Sequence, residues 1–159
     1  VDKKALVEKI IERLELERLS LAQAARNTYE AATHEESHAE DQYDTRGLEA
    51  SYLAGAQAKR VADLEQFILM LRFLDITTFG EETPISATAL VELDQDGKIT
   101  WCFLLPSGGG MTIDFNGTPI QIVTPKSPLG EALITRKAGD LALVDTGRET
   151  REYEIVSVH

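Results

Sequence analysis

Residues 50–71 read ASYLAGAQAKRVADLEQFILML. Within them Ala50, Ala54, Gln57, Val61, Leu64, Ile68 and Leu71 recur at steps of four and three, the spacing that lines side chains along one stripe of an α-helix. Upstream, Val7, Ile10, Leu14, Leu21 and Ala24 keep the same rhythm, with Glu17 the one polar intruder. A single apolar stripe leaves its surface in water, whereas two stripes joined by a turn bury each other. The pattern therefore predicts two long helices folded back as an antiparallel coiled-coil hairpin, and ~30 residues at 1.5 Å each make a finger of ~45 Å. Between Asp2 and Leu74 there is no proline, and glycine stands only at Gly47 and Gly55, so little interrupts helix. Asp2 is placed to cap the first helix.

Beyond Gly80 the texture changes. All five prolines fall there, with most of the glycines and short runs rich in valine, isoleucine and threonine. Strands are predicted near 86–93, 99–105, 111–115, 119–123, 140–145 and 152–158. Asp94, Gln95, Asp96 and Gly97 form a hairpin turn between the first two. A short helix over 127–133 takes Ser127 as N-cap and Pro128 as its first residue, with Glu131 near the third helical position. The fold class is α+β, with a hairpin over 1–78 followed by a small β-rich domain over 79–159.

A net charge of -11 argues against independent DNA binding, because that affinity comes from lysine and arginine displacing phosphate counterions. The single cysteine, Cys102, excludes an internal disulfide and a multi-cysteine metal site. No apolar run approaches the ~18 residues of a membrane span, so the reading is a soluble, unexported, cytoplasmic chain. A hairpin that satisfies its own seam needs no partner helix, which favours a monomer.

The far end of the finger is acidic. Glu30, Glu35, Glu36, Glu40, Asp41, Asp44 and Glu49 cluster there against Arg46. The bland account is a solvated tip that discourages aggregation. The chemical account is that carboxylates are hard oxygen donors suited to magnesium, with Asp41 and Asp44 spaced to point the same way and Glu40 as alternate first member. His34-Glu35-Glu36-Ser37-His38 also fits the H-E-x-x-H pattern of zinc hydrolases, but a narrow tip offers no enclosing cleft and no further ligand follows. Ser107-Gly108-Gly109-Gly110 lacks the lysine and hydroxyl residue of a phosphate-binding loop. Trp101, Phe103 and Leu105 alternate as core residues do. A hairpin of this kind can also serve only to join or space proteins.

The stretch Thr124-Pro125-Lys126-Ser127-Pro128-Leu129-Gly130-Glu131-Ala132-Leu133-Ile134, then Lys137-Ala138-Gly139-Asp140 and Tyr153-Glu154-Ile155, resembles the C-terminal domain of Gre-type transcript cleavage factors. Arg60-Val61-Ala62-Asp63-Leu64-Glu65 resembles a segment of that family's second helix. The order of hairpin and then FKBP-like domain agrees with it. The resemblance implies a transcription elongation factor that binds bacterial RNA polymerase through its secondary channel and meets nascent RNA only within the elongation complex. It implies no enzyme in its own right. Asp41 and Asp44 would take the positions of the family's Asp-x-x-Glu pair, holding Mg2+ jointly with the polymerase and stimulating its intrinsic cleavage of backtracked RNA. No magnesium is expected on the free chain. Ser127, Pro128 and Leu129 would lie on the docking surface. Asp44 is one methylene shorter than the family's glutamate, Gln42 stands where leucine is usual, and the Asn-Ala-Glu-Tyr stretch that typically follows is missing. A divergent Gre-like regulator that occupies or inhibits the channel without cleavage is therefore the alternative.

Overall fold

The computed structural model describes residues 1–33 and 45–159. Two helices come first, α1 (Lys3–Thr33) and α2 (Arg46–Arg72), and then β1 (Leu90–Gln95), β2 (Lys98–Leu104), β3 (Thr112–Phe115), β4 (Thr118–Val123), α3 (Pro128–Leu133), β5 (Leu141–Asp145) and β6 (Thr150–Val158). This is the α+β architecture expected, a helical hairpin followed by a β-sheet domain. Packing divides the chain into two compact units, Ile10–Phe73 and a second made of Val1–Lys9 with Leu74–His159. Sequence texture had suggested the ranges 1–78 and 79–159. The first two turns of α1 pack with the sheet instead, because Leu6 is fully buried and Lys3 is tied to the β-rich segment.

In the helical unit every residue of the two stripes is buried or half-buried. Ile10, Leu14, Ala54, Ile68 and Leu71 are buried, while Leu21, Ala24, Gln57 and Val61 are only half so. Glu15 meets Arg72 at 3.2 Å, Arg18 meets Glu65 at 3.8 Å and Glu17 meets Arg60 at 3.3 Å, so early residues of α1 face late residues of α2, the antiparallel arrangement. Arg18 also bridges Glu15 within α1 at 2.8 Å, and these arginines, Arg18 first, hold the Glu15 carboxyl below its ordinary pKa. The Gln57 side-chain oxygen is buried in this seam with no hydrogen-bond partner among the described residues.

The β-rich unit is one sheet in the order β3-β4-β2-β1-β6-β5. Neighbours are antiparallel except β2 and β4, which run parallel with Trp101 opposite Ile120 and Phe103 opposite Ile122. Asp96 and Gly97 both take positive φ, 54° and 84°, between the paired Gln95 and Lys98, which makes the two-residue turn that matches strand twist. Asn116 and Gly117, at 54° and 82°, repeat the device between β3 and β4. One face of the sheet buries Val91, Leu93, Cys102, Leu104, Ala142 and Ile155 against Leu133, Phe79 and Ile85, with Leu129, Ala132 and Tyr153 packed around them. Burial pushes the Cys102 thiol up to about 12, so it is chemically inert.

On the other face the first turn of α1 approaches the sheet. Val1, Asp2 and Ala5 line, with Trp101, Phe115 and Ile120, a cavity of about 420 Å³. Asp2 caps the helix as expected, its side chain accepting from the Ala5 N–H at 3.1 Å. Lys3 donates to the carbonyl oxygens of Thr77, Thr88 at 3.0 Å and His159 at 2.9 Å, and its ammonium lies 4.8 Å from the Phe79 ring centre. Its pKa is lowered by burial.

The predicted first strand began at Ser86, yet β1 begins at Leu90. Thr88 takes a left-handed φ of 71° and Ala89 donates back to the Ser86 carbonyl, so this segment turns before it extends.

Candidate functional site

Two regions carry the candidate residues, and they differ in what the structure says of them. The tip lies between Thr33 at the end of α1 and Arg46 at the start of α2. Asp41, Asp44 and Glu40, and the His34 to His38 motif, lie outside the described residues. Their flanks end the helices in different ways. Thr33 Oγ1 donates back to the Tyr29 carbonyl at 3.0 Å, and Thr45 precedes α2 without a side-chain cap, its hydroxyl bonding the Glu49 carboxylate at 3.1 Å. Tyr29, Leu48, Tyr52 and Leu53 are exposed on these flanks. Among the described residues no group of three or more His, Cys, Asp or Glu side chains could hold a metal ion.

The second region surrounds the start of α3. Ser127 is the N-cap, extended at φ -72° and ψ 156°, and Pro128 follows in the first turn. Its hydroxyl accepts from the Gly130 N–H at 3.1 Å and donates to the Thr124 carbonyl at 2.7 Å. Gly130 thus occupies the third helical position and Glu131 the next, while the Ser127 N–H goes to the Thr124 carbonyl at 3.1 Å rather than to a glutamate. The expected reciprocal capping box is replaced by a tight turn. Its tightness explains the glycine, because a Cβ on Gly130 would stand 1.9 Å from the Thr124 oxygen.

Around this turn lies a cavity of about 500 Å³ that brings together residues scattered along the chain. Ser127, Pro128 and Leu129 form one wall, Gly109 and Gly110 another, and Arg151 and Tyr153 of β6 a third. The glycine run that carries no phosphate-binding signature is here a wall of this cavity. Glu149, bridged to Arg151 at 2.6 Å, is the main cause and Tyr153 the second of the raised pKa of the Arg151 guanidinium. Arg151 and Tyr153 alternate on β6, but nothing in one strand's pattern says which distant turn it faces. Only the sheet order brings them to α3.

The conserved-domain description "Transcription elongation factor, GreA/GreB, C-term" matches residues 114–159, the last three strands and α3 included. Over that segment the chain is similar to the C-terminal part of Gre factors. Along almost its whole length it is 28% identical to the Transcription inhibitor protein Gfh1 of Thermus thermophilus, in an alignment of 159 positions that covers 98% of this chain and 94% of that protein. To the Transcription elongation factor GreA of Rickettsia canadensis it is 25% identical over 131 residues, 81% of this chain and 74% of that one. Among solved structures, the crystal structure of Thermus aquaticus Gfh1 covers 96% of this chain, and 92% of its own is covered, at 26% identity and a TM-score of 0.40. Among the described residues no helix is long and apolar enough to cross a membrane.

Proposed function

We propose that this Gre-like chain is a cytoplasmic regulator of bacterial RNA polymerase that enters the secondary channel with its hairpin and docks through the surface around Ser127, Pro128 and Leu129. The observation that carries the reading is the union in one chain of a helical hairpin with an acid-rich connecting segment and a Gre C-terminal domain. The cavity beside the Ser127 turn supports the docking role, since it offers apolar side chains and polar rim atoms at one place, as a pocket for a partner's side chain does.

Two modes of action follow. In the first, the hairpin occupies the channel and blocks or remodels the catalytic centre without cleavage. The whole-length match to proteins named transcription inhibitors favours it, as does the shorter Asp44 side chain at the tip. In the second, Asp41 and Asp44, with Glu40 as alternate, hold a magnesium ion jointly with the polymerase and orient water for hydrolysis of backtracked RNA. The three-residue spacing of those carboxylates favours it.

The test is a pair of assays with bacterial elongation complexes in magnesium at saturating factor, one following RNA extension and the other RNA cleavage in backtracked complexes. Slowed extension with cleavage at background establishes the inhibitor. Cleavage that disappears in the Asp41→Ala/Asp44→Ala variant establishes the second mode. Failure of the chain to bind polymerase at all removes both.

A further inference from the structure

β5 is the last strand of the sheet, with β6 on one side and, among the described residues, no strand on the other. Thr146 donates to the Glu149 carbonyl at 3.0 Å, which fixes the parity of the ladder: Ala142 and Val144 turn their backbone groups towards β6, and Leu141, Leu143 and Asp145 turn theirs away. Among the described residues no backbone bond from outside the sheet reaches those three. The same alternation buries Ala142 and Val144 and leaves Leu141 and Leu143 exposed, at 50% and 60%. A row of open donors and acceptors flanked by two exposed leucines is a template for strand addition.

The charge beside it selects the occupant. On the face that carries the leucines, Leu141 is paired with Glu154 and Leu143 with Glu152, and Glu154 stands opposite Asp94 of β1. Asp96 and Glu149 line the same shallow depression, of about 810 Å³. Its one cation, Arg151, is held by Glu149. A second copy of this chain would bring a second set of these carboxylates against the first, so self-pairing is opposed. An extended segment with basic residues at alternate positions meets them with opposite charge while its backbone completes the ladder.

We propose that the free edge of β5 is a second docking surface, separate from the Ser127 turn, which binds a basic extended segment of a partner protein by adding it as a seventh strand. The leucines take the segment's apolar contact, and Asp94, Glu152 and Glu154 take its cations.

The probe is an acetylated eight-residue peptide of alternating lysine and valine, labelled with fluorescein and titrated with the full chain by anisotropy. Amide exchange at Leu141, Leu143 and Asp145 is followed by NMR. Binding is expected, with slower exchange at those three amides, at least tenfold weakening by Glu152→Lys/Glu154→Lys, and a similar loss when a central valine of the peptide is replaced by proline. Leu143→Pro should abolish the added strand while keeping the sheet, because only an outward N–H is lost. Leu141→Ser/Leu143→Ser, at two exposed positions, serves if that variant does not fold. Equal affinity for the proline-interrupted peptide, unchanged exchange, or no binding overturns the proposal. A dimer in sedimentation that Leu143→Pro dissolves overturns it too, by naming a second copy as the occupant.

Discussion

The helical unit and the sheet unit use apolar side chains in different ways. In the sheet unit, Leu90, Leu93, Phe103, Leu104, Ile122 and Leu133 are removed from water, side chains from both faces of the sheet among them. Among the described residues of the helical unit only Ile10, Leu14, Ala54, Ile68 and Leu71 are buried, and the rest of the seam remains half open. Two helices alone cannot enclose a core, since each offers one stripe and the remaining surface meets solvent. The difference teaches that stability is concentrated in the sheet unit. The hairpin is held by a narrow seam of graded depth and by exposed ion pairs of small individual worth.

The strongest way to break this comparison is at Phe103, fully buried between β1 and β4. Phe103→Ala should cost about 3–5 kcal/mol, read by chemical denaturation with the fluorescence of Trp101, the only tryptophan, as a probe of the sheet. A loss below about 1 kcal/mol would mean that the sheet core is not the stronger of the two. Within the hairpin, Leu14→Ala should cost ~2–5 kcal/mol and Leu21→Ala clearly less, because the first is buried and the second half-exposed. Equal losses in helical circular dichroism would deny the gradient along the seam.

Gly130→Ala sharpens the sheet side. Its Cβ must displace the Thr124 carbonyl, so a cost of ~1–3 kcal/mol and altered amide shifts from Thr124 to Leu133 are expected. The smallest effect is electrostatic. Arg18, and after it Arg72, depress the Glu15 carboxyl in the folded state, so its contribution is present above the unfolded carboxylate pKa and fades as pH falls through the lower folded value. Acid titration should therefore loosen the hairpin slightly, and Glu15→Gln should flatten that response. A variant that titrates like the wild type would leave Glu15 without this role.

Much of the fold was legible because its signals are local. The four-three steps of Val61, Leu64, Ile68 and Leu71 need only helix geometry, and the Asp96-Gly97 turn needs only two residues that accept positive φ. The Ser127-Pro128 helix start was equally plain, while the exchange of a capping box for a turn closed on Thr124 was not, since it depends on where a carbonyl three residues earlier points. Of the candidate sites, the Ser127 turn could be followed into three dimensions, and its cavity partners Gly109, Gly110, Arg151 and Tyr153 could not have been joined to it from spacing.

By itself the sequence determined two helices with complementary stripes, a change of texture near residue 80, the turns that reverse the strands and an acidic segment between the helices. Each follows from the chemistry of neighbouring residues. Tertiary structure alone decided that Val1–Lys9 packs with the sheet unit, that β6 enters between β1 and β5, that β5 ends the sheet with Leu141 and Leu143 uncovered, and that Lys3 gathers three carbonyls from distant segments. These are pairings between residues far apart in the chain. Several pairings satisfy the same local patterns, and the requirement to bury most of the apolar surface while leaving few backbone groups unbonded selects among them.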